Sequence, residues 1–541
     1  MSAPFESSGS VKAGWTSLQA MRSLVRVLMA IAVLASVRAA ERPNIVLFLC
    51  DDLGFSDAGC YGGEIPTPHI DALAKGGLRF TQFYNNAVCG PTRASLLTGL
   101  YAQQVGHSGR GWNDATDFSK CVTLGEVLKS AGYRTLVVGK WQDRDLPGRR
   151  GFDRFFGPQC AGKISYFDEV QLNPFYLDET RVKLPDDFYL TDALTDYAVK
   201  FVDEALSKPD VPFFLYVAHV APHWPLHARE ADIAPHRERY RRTGWDEWRA
   251  TRFAKQRELG LVPASWELGA RPVAAPAWKR DELTDWQAER MAVYAAQVAS
   301  LDRSLGRLME TIRKAGAADN TLVLFLSDNG AAPDGGATPG PKSFRVDLKD
   351  DWRLNGKPMR CASGPDNMPG PADTFAAYGL AWATTSNTPF RSTKLTAYEG
   401  GIRTPFIASW PAVIRDGGRM TSEVGHVIDL MPTFAEVAGA RYPAELDGRK
   451  PLPIEGRSLL PTLRREARAG HDLLAWRVPH NRALLSGNWK LVESPASKQW
   501  ELYDLAADGT ETNNLAAQHP DIVNDLAAKW QKWADRCGAK P

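Results

Sequence analysis

The 541-residue sequence lacks a long apolar run, a surplus of charge of either sign, and any cysteine pair at a functional spacing. Its longest aliphatic stretch, Val27 to Val37, is too short to cross a bilayer, for which a helix needs roughly 20 residues, and no later stretch qualifies. Lysine plus arginine (65) nearly cancels aspartate plus glutamate (63), leaving a formal charge of +2. That balance removes the global electrostatic case for a nucleic-acid or anionic-membrane partner. None of the seven cysteines (Cys50, Cys60, Cys89, Cys121, Cys160, Cys361, Cys537) pairs as a metal knuckle or a CxxC redox motif. The odd count leaves at least one thiol unpaired, and no internal repeat of roughly 20 to 50 residues is visible.

Core-forming material, in contrast, is plentiful. With 44% hydrophobic and 24% charged residues, the bulk of the chain is not disordered. The length suits either several domains or one large α/β domain with an appendage. Met21 to Ala40 carries Arg22 and Arg26, then the apolar run, then Ala39 and Ala40 before Glu41. This is the layout of a secretory signal peptide, so the mature protein is expected to be exported, periplasmic or secreted, with no membrane span. Residues 1–20 then read as an upstream extension, with Met21 as the native start.

Four short aliphatic runs end in polar residues: Asn44 to Cys50, Thr135 to Val138, Phe213 to Val217 and Thr321 to Leu326. They read as buried parallel strands. Helical patterns lie between them, among them Ile70 to Lys75 and Val293 to Lys314, so the fold class is α/β with a large, mainly parallel sheet flanked by helices. Ligands of such sheets bind beyond the carboxyl ends of the strands. Residues 41–433 form the expected catalytic domain, with a charge-dense, tryptophan-bearing helical insert at 228–278. Residues 434–541 read as a smaller α+β subdomain with a short antiparallel sheet (Arg482 to Leu505) and a helix from Pro520 to Cys537.

Candidate chemistry clusters at the strand ends. Asp51 and Asp52 follow the first run, and Asp328 and Asn329 follow the fourth. Four oxygen donors on strand ends suit a hard divalent cation, although either pair alone is equally a turn or helix cap. In Cys89-Gly90-Pro91-Thr92-Arg93, Pro91 suits the first turn of a helix that Gly99 ends. Cys89 then stands just ahead of a helix N-terminus, where backbone N–H groups favour an anion, with Arg93 one turn in.

The string from Cys89 to Gly99 resembles the sulfatase signature C-x-P-x-R-x-x-x-x-T-G. The resemblance extends from about Pro43 to about Trp533 and is greatest to bacterial arylsulfatases; it implies the alkaline-phosphatase-like fold. It also implies that a maturation enzyme oxidises Cys89 to formylglycine, whose hydrate attacks sulfur and then expels inorganic sulfate. It implies one calcium ion held by Asp51, Asp52, Asp328, Asn329 and the modified Cys89. By the same resemblance Lys140 (in Gly139-Lys140-Trp141), His223 (in Ala221-Pro222-His223-Trp224-Pro225), Lys394 and Arg93 are catalytic. His223 and Lys394 serve the departing oxygen. Gln142 departs from the pattern, since the family usually has a histidine there to accept the hydrate's proton. Glutamine cannot take up a proton near neutral pH, so sulfate expulsion is the step placed in doubt, with Asp143 or His107 as compensating groups.

The implied substrate is a sulfated small molecule or a sulfated glycan. Two alternatives keep the site. One is a phosphonate or phosphate ester hydrolase, because tetrahedral oxyanions of similar size differ mainly in charge. The other is a weakly active sulfated-glycan binding protein, motivated by Gln142.

Overall fold

The run Asn44–Cys50 (β1) alternates its side chains between two apolar layers: Val46, Phe48 and Cys50 enter one, Ile45, Leu47 and Leu49 the other. Burial on both faces is what a continuous aliphatic run with period-2 geometry requires. Each such side chain contributes about 1.5–3 kcal/mol when fully buried. The computed structural model describes Met1 and residues 42–539, apart from 109–113, 160–163, 171–172, 337, 341–352, 354–355 and 357. The signal-peptide segment and Cys160 lie outside the described residues.

The strands of the main sheet are β1, Leu78–Tyr84 (β2), Arg134–Gly139 (β3), Arg154–Pro158 (β4), Phe175–Leu177 (β5), Thr180–Val182 (β6), Phe213–Ala218 (β7), Thr321–Ser327 (β8), Arg403–Ser409 (β9), Arg419–Thr421 (β10) and Gly425–His426 (β11). Their spatial order is β10-β2-β9-β8-β1-β7-β3-β4-β5-β6, with β11 also on β2. The centre, β8-β1-β7-β3-β4, is parallel throughout. The flanks are mixed: β9 runs antiparallel between β2 and β8, and β5 and β6 continue antiparallel from β4. The mainly parallel reading therefore describes the centre; antiparallel β5 and β6 extend one edge, and β10 and β11 lie parallel to β2 at the other.

Helices Pro68–Gly76, Leu190–Leu206 and the 31-residue Thr284–Lys314 cover one face. Leu124–Ser130 and Leu430–Ala438 cover the other. The insert forms helices Glu230–Arg242 and Trp245–Glu258. Its tryptophans are packing groups: Trp245 is buried edge-on against Trp278 and Trp382. Arg252, fully buried, locks the insert to the body through Asp57 (2.8 Å) and Glu64 (2.7 Å).

A second, antiparallel sheet runs Leu474–Arg477 (β12), Arg482–Ser486 (β13), Trp489–Glu493 (β14) and Trp500–Asp504 (β15), in that order. Helix Pro520–Cys537 closes it with Leu526, Trp530 and Trp533. The same apolar cluster contains Val88, Cys89, Leu395 and Ala397, so this sheet abuts the loops ahead of Cys89 and after Lys394. The six described cysteines are free thiols. Among the described residues no helix is long and apolar enough to cross a membrane.

Candidate active site

Four parallel strands end at one place. Asp51 and Asp52 follow β1, Lys140 follows β3, His223 lies just past β7, and Asp328 and Asn329 follow β8. Adjacent strands in register deliver these side chains to a common cleft. Two backbone features sharpen the arrangement. Gly139 has φ +100°, and a Cβ there would lie 2.0 Å from Ala218 O, so only glycine lets β3 end against β7 and aim Lys140 inward. Asp52 sits at φ 68°, a conformation that non-glycine residues adopt only when the surroundings over-determine it. Here Asp51 N–H donates to Ala221 O (3.1 Å) and Asp52 N–H to Asp328 Oδ1 (3.3 Å).

The helix over the cleft runs Cys89–Thr98 and ends at Gly99 with φ 72°. It starts one residue earlier than its sequence suggests: Cys89 is its first residue rather than the one ahead of it. Val88 caps it in an extended conformation, and Pro91 falls in the first turn, where a missing N–H costs nothing. Arg93, 2% exposed, donates to Asp328 Oδ2 (2.8 and 3.1 Å) and to Lys140 O (3.1 Å), and stands 3.4 Å from Asp51. It also meets the Tyr216 phenol at 3.4 Å, a contact the sequence does not signal because Tyr216 lies within the apolar strand β7.

Lys140 Nζ binds Asp51 Oδ2 at 2.5 Å. Lys394 Nζ is paired with Asp52 Oδ1, which also accepts from Asn329 Nδ2 (2.6 Å). His223 Nε2 lies 3.5 Å from Asp52 Oδ2, and its Nδ1 donates to Trp224 O at 2.6 Å. Gln142, at φ 64°, points its amide nitrogen at Cys89 Sγ (3.0 Å). Of the two groups weighed as compensation, His107 borders Gly90: its Cε1 lies 3.6 Å from where a Gly90 Cβ would stand, beside Gln142 Nε2 at 3.7 Å. Asp143 instead accepts from Thr116 N–H at 3.2 Å.

Three buried oxygens of this cluster have no hydrogen-bond donor: Asp51 Oδ1, Asp52 Oδ2 and Asn329 Oδ1. Asp51, Asp52 and His223 each offer a ligand atom within 4.8 Å of the others. Burial pushes both Asp51 and Asp328 upward. At Asp51 the cations Lys140 and Arg93, and His223 when protonated, outweigh burial and hold the carboxyl below its usual range. At Asp328 burial and the neighbouring Asp51 charge prevail, and its pKa rises. Burial opposes charge on both lysines, but Asp51 keeps Lys140, and Asp52 keeps Lys394, above the ordinary ammonium value. Burial pushes His223 down against the pull of Asp52. The cleft therefore juxtaposes donor-starved oxygens with fixed cations, an arrangement fit for a hard cation and a tetrahedral anion together.

A family model described as Sulfatase matches residues 43–440. The chain belongs to the sulfatase family. A second model, N-sulphoglucosamine sulphohydrolase, C-terminal, matches residues 392–535 of the sulfatase and so begins just ahead of Lys394. The sulfatase is 32% identical to an uncharacterized sulfatase of Schizosaccharomyces pombe, over 91% of this chain and 93% of that protein. It is 33% identical to an arylsulfatase of Klebsiella aerogenes, over 82% and 96%. The crystal structure of Ps i-CgsB in complex with k-i-k-neocarrahexaose superposes with a TM-score of 0.65 at 26% identity, covering 91% of this chain and 93% of that one. The alkaline-phosphatase-like fold and sulfuric-ester hydrolase class expected from the sequence are thereby established for the sulfatase.

Proposed function

We propose that this sulfatase releases inorganic sulfate from an ester through Cys89 oxidised to formylglycine, with calcium held by Asp51, Asp52, Asp328, Asn329 and the modified side chain at 89. The observation that carries the reading is the trio of buried, donor-free oxygens on Asp51, Asp52 and Asn329, beside Cys89 at a helix start. Leaving such atoms unsatisfied is costly, and oxygen-only donors fit calcium. When bound, the ion supplies Lewis-acid polarisation and charge neutralisation. The hydrated aldehyde would supply two hydroxyls, one to attack sulfur as the ester S–O bond breaks and one whose proton passes to a base as sulfate leaves; His107, which borders Gly90 and Gln142, is the candidate for that base.

The remaining roles follow from side chains. Three carboxylates (Asp51, Asp52, Asp328) face three cations (Arg93, Lys140, Lys394), so a dication would leave the pocket two positive charges in excess, matched to a sulfate ester and its product. Lys394 and His223 both lie on the Asp52 side and serve the departing oxygen: Lys394 stabilises its charge, and His223, whose Nδ1–H is held by Trp224 O, gives it a proton from Nε2 as the imidazolium, the form that Asp52 favours against burial. Gln142 orients a hydroxyl through its amide but accepts no proton.

The substrate class is a sulfated small molecule or glycan, and the Met21 to Ala40 segment supports export to the periplasm or beyond, after action by a maturation enzyme. The test is the mass of the Cys89 peptide from exported protein, then turnover of an aryl sulfate against an aryl phosphate. Aldehyde at position 89 and preference for the sulfate are expected. An unmodified thiol with full sulfate release would overturn the reading.

A further inference from the structure

The turn carrying Lys394 is strained on both sides. Ser392 (φ 69°) and Leu395 (φ 78°) are non-glycine residues in the left-handed region, a state that persists only where neighbours impose it. Three of the bonds come from the catalytic body: Asn387 Nδ2 donates to Ser392 O (3.1 Å), Lys394 N–H to Ala331 O (3.1 Å) and Leu395 N–H to Ala87 O (2.9 Å). Three more come from the C-terminal subdomain. His480 N–H donates to Leu395 O (3.3 Å), Ala397 N–H donates to Asn481 Oδ1 (2.8 Å), and Glu399 N–H donates to Glu511 Oε2 (2.8 Å).

Two side chains of this set have one end on each body, Asn481 and Glu511, and Asn481 is the one bonded nearer to Lys394, at Ala397 rather than Glu399. It is 1% exposed, in the connection between β12 and β13. Its Nδ2 donates to Glu493 O (2.9 Å) at the end of β14, which fixes the amide and presents Oδ1 to Ala397. Its own carbonyl accepts from Val478 N–H (3.0 Å). A group so held transmits the rigidity of a hydrogen-bonded sheet to the turn, and a catalytic cation displaced by about 1 Å can cost roughly a hundredfold in rate.

We infer that Asn481 is a positioning residue for Lys394, making the C-terminal antiparallel sheet a working part of the active site rather than an appendage. The inference rests on the role given to Lys394 above. The Lys394 ammonium meets Asp52 Oδ1 across the cleft. The turn that aims it is bonded at Ala397, three residues on, to the sheet.

The experiment is a double-mutant cycle on full-length matured enzyme with p-nitrophenyl sulfate. Asn481→Leu should lower kcat about tenfold or more with little change in KM, and Lys394→Met should lower it further. The double variant should match Lys394→Met within about twofold, because Asn481 has nothing left to position. Asn481→Asp, which keeps an acceptor for Ala397 N–H, should retain more turnover than Asn481→Leu. Wild-type kcat in Asn481→Leu, or a double variant slower than Lys394→Met by the full Asn481→Leu factor, overturns the inference. Asn481→Ala serves for the same cycle and criteria if the leucine variant does not fold. A Lys394→Met enzyme with wild-type turnover would instead refute the role of Lys394, and with it any positioning of that residue.

Discussion

Two buried ionic clusters lie close together in the chain and do opposite things. At the strand ends Asp51, Asp52, Asp328 and Asn329 meet Arg93, Lys140, Lys394 and His223, yet three oxygens lack donors. Five residues past Lys394, Glu399 starts a second cluster with Lys490, Glu511, Arg403 and Tyr84. There three of the four carboxylate oxygens accept hydrogen bonds, from Lys490 (2.6 Å), Tyr84 (3.0 Å) and Arg403 (3.1 Å) at Glu399 and from Glu399 N–H (2.8 Å) at Glu511; the fourth, Glu511 Oε1, accepts none but lies 2.7 Å from the Lys490 ammonium. The first cluster leaves three oxygens without donors, which suits the proposed cation; the second leaves one, beside its lysine. Burial of charge alone does not mark a site; what sets the strand-end cluster apart is that three donor-free oxygens converge there.

If that contrast is right, substitutions should separate activity from stability. Cys89→Ala should lower turnover of p-nitrophenyl sulfate by about 10⁴-fold or more while the melting temperature stays within about 2 °C. Lys490→Met should do the reverse: Glu511 left without its cation, and Glu399 left with Arg403 alone, cost about 3–5 kcal/mol of unfolding free energy, readable by urea denaturation, with residual activity tracking the folded fraction. Calcium added to EDTA-treated enzyme at about a hundred times its Kd should stabilise it by about 2.7 kcal/mol, seen as a thermal shift. In Asp328→Ala that shift and the activity should vanish together, and lost activity with calcium still bound would remove Asp328 from the ligand set.

A smaller effect distinguishes the Glu399 cluster by pH. Burial, with Glu399 adding to it, outweighs Lys490 and pushes Glu511 up from its ordinary 4.5 to about 7. Because the folded state favours its protonated form, Glu511 stabilises the protein at low pH and loses that contribution as pH rises from about 4.5 through 7. Glu511→Gln, neutral throughout, should therefore show a flatter melting temperature across that window; an unchanged slope would mean that Glu511 does not titrate there. The smallest expected change is at the strand-end site: Gln142→His should raise kcat by about three- to tenfold without altering KM, and an unchanged kcat would acquit Gln142 of limiting sulfate expulsion.

Much of the strand-end cluster was legible in sequence because strand periodicity is local. A seven-residue aliphatic run ending in Asp51-Asp52, and another ending before Asp328-Asn329, place their polar residues at strand ends without knowledge of the partner strands. The glycine at position 99 and Pro91 likewise bound the helix of Cys89 to within a residue. The Glu399 cluster was not legible, since Glu399 lies 91 residues from Lys490 and 112 from Glu511, and no spacing rule spans such distances. Tyr216 and Asn481 were invisible for the same reason: one looks like any strand aromatic, the other like any turn asparagine.

By itself, the amino-acid order determined the alternation of strand and helix, the parallel centre of the sheet, and which residue types reach its carboxyl edge, because each depends on interactions within a few positions. Tertiary structure alone decided that β9 enters antiparallel between β2 and β8, and that Arg252 ties the insert to the body. It also decided which oxygens remain without donors and that a remote sheet holds the turn of Lys394. These are contacts between residues tens to hundreds of positions apart, whose free energies exist only once the chain has closed around them.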